Sequence, residues 1–182
     1  MKRIAVLFSG EGTNFNYILK QLHKKGLEVT LAITNNPKAG GIAYAKKFNV
    51  PLKVIDSSGY SSREAFDAAL VEELTKYQLD LVVLAGFMRI LTDVFTEKID
   101  AINLHPSLLP RHKGMHAIEK SYADEYSEGG VTVHKVTSEL DGGEIVLQKA
   151  IEKGKMSFDE YYDRVKSIEK LALVEAIERV LE

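Results

Sequence analysis

The chain has 182 residues, is 45% hydrophobic and carries a formal net charge of −2, so one sizeable core and a single domain over residues 1–182 are expected. Acidic and basic residues are interspersed, which leaves no Lys/Arg block to neutralise nucleic acid or an anionic membrane. Cys is absent, no apolar run approaches the ~20 residues of a membrane helix, and no signal-peptide layout precedes the first strand, so a cytoplasmic protein without thiol chemistry is expected.

Residues 4–8 form the first short aliphatic run, and residues 29–34 and 81–85 repeat it. None alternates with polar residues, the pattern of strands buried on both faces of a parallel sheet. Between the first two runs, Phe15, Ile18, Leu19 and Leu22 recur at helical spacing. A short strand is predicted at 52–55, after Pro51. A helix follows with Ala65, Phe66, Ala69, Leu70 and Leu74 on one face, behind a capping-box pattern of Ser61 and Glu64. His23 reads as a solvent-facing helix residue.

The next strand is predicted at 101–104. After a loop and a short helix, residues 131–136 and 145–149 read as a hairpin around Asp141-Gly142-Gly143. A long final helix is capped by Ser157 with Glu160 and carries Phe158, Tyr161, Val165, Ile168 and Ala172 on one face. Strand and helix alternating in this order indicate an α/β fold with a doubly wound, mostly parallel sheet, a C-terminal β-hairpin and a long last helix.

Ser9-Gly10-Glu11-Gly12-Thr13-Asn14 joins the first strand to the first helix. Glycine permits close backbone approach, and amides at a helix N-terminus favour an anion such as phosphate. The same residues also describe a purely structural turn with Thr13 or Asn14 as N-cap. A dinucleotide is disfavoured because Phe15 stands where its fingerprint needs a third Gly, and Thr34-Asn35-Asn36 supplies no acidic ribose-binding residue.

Asn103-Leu104-His105-Pro106 begins at the carboxyl end of a predicted strand, the edge where open α/β sheets bind ligands. Alternation points Asn103 and His105 to one side, a neutral donor beside a group that ionises near neutral pH. Such a pair suits an oxygen gaining negative charge in acyl transfer, or equally a strand-end His satisfied by a carbonyl. Asp141 lies in a turn where Asp-Gly is commonly structural, or it is a carboxylate that orients a His 36 residues away in the chain. His112 and His116 are spaced like helical metal ligands, but Gly114 disfavours a helix there and no third ligand is evident, so no metal is expected.

Taken together, Gly10-Glu11-Gly12-Thr13-Asn14, residues 84–91, Asn103 to Pro110 and Gly130 to Gly143 resemble the glycinamide ribonucleotide formyltransferases, folate-dependent enzymes of purine synthesis. The resemblance runs over essentially the whole chain and implies a Rossmann-like formyltransferase fold. It further implies transfer of a formyl group from 10-formyltetrahydrofolate, as co-substrate, to the amine of glycinamide ribonucleotide. Asn103, His105 and Asp141 match the catalytic trio of that family. Gly12, Thr13 and Asn14 match its phosphate loop, and Glu169 matches a residue on the ribose hydroxyls. Met88, Arg89, Ile90, Leu91 and Leu140 match the folate pocket, Arg63 a position near the folate tail, and His134 a position near the active site. For Arg63 and Arg89 a surface ion pair is the alternative, and for Glu169 a solvated helix residue.

Hydrolysis of 10-formyltetrahydrofolate, or folate or nucleotide binding without chemistry, are the rival functions. The expected partner is a small molecule and not nucleic acid or membrane, with the chain a monomer or homodimer.

Overall fold

A computed structural model describes Met1–Glu182 in two compact units, Met1–Ile102 with Leu181 and Asn103–Val180 with Glu182. The chain runs β1 (Lys2–Phe8), α1 (Thr13–Leu22), β2 (Leu27–Thr34), α2 (Ile42–Lys47), β3 (Leu52–Val54), α3 (Arg63–Leu74), β4 (Leu81–Leu84), α4 (Asp93–Thr96) and β5 (Ala101–His105). It continues through α5 (Ala117–Ala123), β6 (Glu128–Lys135), β7 (Ile145–Glu152) and α6 (Phe158–Leu181). The seven strands are ordered β3-β2-β1-β4-β5-β6-β7. β1 pairs in parallel with β2 and β4, and β2 with β3, whereas β6 and β7 are antiparallel. This is the α/β architecture expected from the sequence, with its hairpin and long final helix. No helix is long and apolar enough to cross a membrane.

In the first unit, Ile4 through Phe8 are fully buried, as strands covered on both faces must be. The apolar stripe of α1 is buried as its spacing predicts, and Phe15 stacks on Phe8 with ring centroids 5.0 Å apart. The cap of α3 is Ser62 and not Ser61: Ser62 Oγ accepts from Ala65 N at 3.0 Å. Two adjacent serines offer two registers, and the extended backbone of Ser62 selects the second. His23 is buried and not solvent-facing; as the C-cap of α1 it turns inward, and its Nδ1 accepts from Val29 N at 3.0 Å.

In the second unit, β6 starts three residues earlier than predicted, because Gly129 and Gly130 are strand residues. A side chain at Gly129 would meet the Tyr161 hydroxyl, and one at Gly130 would meet the Lys149 carbonyl. α6 starts with the predicted capping box of Ser157 and Glu160, and buries Tyr161, Val165, Ala172, Leu173, Ala176 and Ile177.

A polar cluster braces this unit. Lys153 is buried, and its Nζ lies 2.7 Å from Asp124 Oδ1, 2.9 Å from the Ser121 carbonyl and 3.1 Å from the Asp124 carbonyl. Asp124 Oδ2 takes His112 Nε2 at 2.7 Å. Burial raises the Asp124 carboxyl, but hydrogen bonds from Lys153, His112 and Tyr126 N outweigh it and leave the group at about 2.

A carboxylate depressed on folding stabilises the fold above its unfolded pKa, and the benefit is lost as pH falls through the folded value. Asp124→Asn should therefore cost about 2 kcal/mol at pH 7. Denaturant titrations of both proteins should show the difference shrinking as pH falls from 4 towards 2.

Candidate active site

Strand order in the first unit reverses between β1 and β4, because the chain winds outward through β2 and β3 and then crosses back beyond β1. In open α/β sheets the carboxyl ends of strands at such a reversal form a ligand crevice. The loops there are tied together by Ser9. Its Oγ accepts from Met88 N at 2.8 Å and bonds Asn35 Oδ1, and its carbonyl accepts from Asn36 Nδ2 at 3.3 Å. Three loops, after β1, β2 and β4, thus share one residue.

Gly12 is the N-cap of α1, in place of the predicted Thr13 or Asn14, and has φ 74°. A Cβ on Gly12 would stand 2.6 Å from Gly41 Cα, so glycine is required sterically as well as conformationally. No side chain caps this helix and no acidic residue occupies its first turn. Its leading amides are open to an anion.

The predicted folate-wall residues lie just past β4. Met88 and Ile90 are exposed, 79% and 53%, while Leu91 is buried. The Arg89 guanidinium lies 4.9 Å over the Phe66 ring, a cation–π contact in place of the surface ion pair weighed from sequence. The segment is pinned at its end by Asp67, whose Oδ2 accepts from Thr92 N at 2.6 Å and Thr92 Oγ1 at 2.7 Å. Arg63 is exposed on the first turn of α3.

Asn103, His105 and Asp141 come together in the second unit. His105 Nδ1 is 3.4 Å from Asp141 Oδ2, and His105 Nε2–H donates to the His112 carbonyl at 2.8 Å. Both ring nitrogens of His105 therefore face acceptors. Asp141, at φ 52°, also accepts from Gly114 N at 2.8 Å. Burial raises the Asp141 carboxyl, but hydrogen bonds from His134 and Gly114 and the charge of His105 outweigh it and hold the group below the ordinary carboxylate range.

His134 is a full member of this cluster. Its Nδ1–H donates to the Lys135 carbonyl at 2.8 Å, while its Nε2 is 3.3 Å from Asn103 Nδ2 and 3.5 Å from Asp141 Oδ1. Neutral, this nitrogen accepts from Asn103; protonated, it donates to Asp141.

Thr132 escaped the sequence reading. It lies two residues before His134 on the same face of β6, and its Oγ1 donates to the Ser107 carbonyl at 2.7 Å and accepts from Leu109 N at 3.0 Å. Gln148 from β7 adds a 2.9 Å bond to the Leu109 carbonyl. Together they fix the chain just beyond His105. Alternation along the strand was the signal that could have found Thr132.

Leu140 is exposed, 49%, next to Asp141 in the chain. Glu169 is buried on α6 and not solvated, with Lys166 Nζ 3.1 Å from its Oε1.

The sequence profile of the formyl transferase family matches residues 2–177. Phosphoribosylglycinamide formyltransferase of Haemophilus influenzae is 39% identical over 155 residues, covering 83% of this chain and 73% of that protein. The trifunctional purine biosynthetic protein adenosine-3 of Chironomus tentans is 38% identical over 156 residues, covering 82% of this chain, and the chain spans only 11% of that protein. The crystal structure of phosphoribosylglycinamide formyltransferase from Campylobacter jejuni superposes with a TM-score of 0.97 at 46% identity, covering 100% of this chain and 98% of that one.

Gly12→Ala should destabilise the fold by about 1–3 kcal/mol, since the backbone must shift away from Gly41 and the left-handed conformation is lost. Chemical denaturation of the variant against the parent checks this.

Proposed function

The chain belongs to the formyl transferase family, and we propose that it moves a formyl group from 10-formyltetrahydrofolate to the amine of glycinamide ribonucleotide, in purine biosynthesis. The observation that carries this reading is the joining of Asp141 to Asn103 and His105, distant from it in sequence, in one cluster around a buried, ionised carboxylate. On this reading residues 1–182 act as one formyltransferase domain on small molecules, with no metal.

The amine attacks the formyl carbon, giving a tetrahedral intermediate with a negatively charged oxygen; collapse expels the folate nitrogen. Asn103 Nδ2 carries two hydrogens, of which at most one is taken by His134, so one is available to that oxygen in either state of His134. His105, between Asp141 and the His112 carbonyl, is placed to carry positive charge that offsets the oxyanion. Asp141 keeps that charge in place and, through water, assists relay of the proton the amine sheds to the departing folate nitrogen. No covalent enzyme intermediate is required, so positioning and electrostatics supply the acceleration.

The open amides of Gly12, Thr13 and Asn14 hold the ribonucleotide phosphate, and Glu169 receives the ribose hydroxyls. Met88, Arg89, Ile90, Leu91 and Leu140 form the folate walls, with Arg63 near the folate tail.

The decisive assay follows loss of 10-formyltetrahydrofolate with and without glycinamide ribonucleotide. Loss that depends on the ribonucleotide and yields its formylated product is expected. Equal loss without it would replace transfer by hydrolysis, and no loss in either case would leave a binding protein. Asp141→Asn should lower kcat about 10²- to 10⁴-fold, with little change in folate binding measured by fluorescence titration.

A further inference from the structure

The segment between His105 and α5 touches both catalytic partners through its own backbone. The His112 carbonyl receives His105 Nε2–H at 2.8 Å, and Gly114 N donates to Asp141 Oδ2 at 2.8 Å. The backbone of this segment is left-handed at both contact residues, with φ of 54° at His112 and 83° at Gly114. Glycine adopts such angles freely, but histidine seldom does, and something must hold His112 there.

The holding contact is its side chain. His112 Nε2 donates to Asp124 Oδ2 at 2.7 Å, and Asp124 Oδ1 is locked by Lys153 Nζ at 2.7 Å. Lys153 is buried, with its ammonium spent on Asp124 and on the carbonyls of Ser121 and Asp124. The anchor is therefore rigid at its far end. A continuous path of hydrogen bonds runs from Lys153 through Asp124 and the His112 side chain, then from the His112 carbonyl to the catalytic ring.

We propose that His112 is a positioning residue for formyl transfer, its side chain clamped by Asp124 and Lys153 so that its carbonyl fixes the rotation of the His105 ring and keeps Nδ1 turned to Asp141. The kinetic part of this inference rests on the proposed formyl transfer; the structural part does not. A ring held at Nε2 cannot swing Nδ1 away from the carboxylate, so the geometry needed for charge at His105 is set before substrate arrives.

Three variants separate the side-chain anchor from the backbone angle. Gly at 112 keeps the left-handed turn and the carbonyl but removes the anchor. Asn also tolerates the turn but is too short to reach Asp124. Gln carries an N–H donor at about the reach of His Nε2. His112→Gly and His112→Asn should each lower kcat about tenfold to a hundredfold with KM for folate unchanged, whereas His112→Gln should stay within about threefold of the parent. If Gly fails to fold, Asn decides alone.

NMR of ¹⁵N-histidine-labelled protein gives the readout that does not depend on activity. The Hε2 proton of His105 should be protected from exchange in the parent and the Gln variant, and exposed or shifted in Gly and Asn. Parent-like kcat and an unchanged Hε2 signal in Gly or Asn would overturn the proposal, as would equal losses in all three variants. If the parent itself transfers no formyl group, the functional reading fails while the NMR comparison still decides the positioning role.

Discussion

A buried carboxylate is tolerated only when its charge is met from several directions, and Asp141 organises the second unit on those terms. Leaving such a charge unpaired costs several kcal/mol. His105 arrives from the end of β5, His134 from β6, and the Gly114 amide from the segment before α5. Each comes from a different stretch of chain, so the carboxylate is satisfied only when all three stretches are in place. The left-handed backbone at Asp141 is held by the same contacts. Loop conformation, the register of the hairpin and orientation of the histidine are consequently one problem with one solution.

The first unit solves a different problem with neutral groups. Ser9 gathers three loops by hydrogen bonds, and Gly12 lets the loop after β1 lie against Gly41 at a distance no side chain would permit. Gly41 is itself confined, since a Cβ there would enter the Phe8 ring. Aromatic core and glycine loop are thus in direct contact, and the open amides of α1 inherit their placement from the buried strand β1.

What depends on local pattern could be read from the sequence. Unbroken aliphatic runs gave β1, β2 and β4, helical spacing gave the buried face of α1, and Ser157 with Glu160 gave the start of α6. The partnership of Asn103 with His105 followed from strand alternation. What failed depended on geometry that sequence spacing does not carry. Ser61 and Ser62 differ as caps only in backbone angle. Gly129 and Gly130 add nothing to an aliphatic pattern, which therefore starts β6 at residue 131; the reason glycine stands there is supplied by Tyr161 and Lys149 packed against them. His23 is drawn inward by the Val29 amide. The joining of Asp141 to His105 was supplied by family resemblance, because spacing alone leaves a turn Asp undecided. The path from Lys153 to His112 had no local signature at all.

The open end of α1 offers main-chain N–H groups, and these neither gain nor lose protons across the physiological range. The cluster around Asp141 is built from side chains that depend on one another for charge and orientation. On the proposed reading, the hold on the phosphate and the chemistry therefore draw on different parts of the chain. Damage to the side-chain cluster would leave the main-chain grip intact, so a crippled enzyme would still sequester ribonucleotide that it cannot formylate.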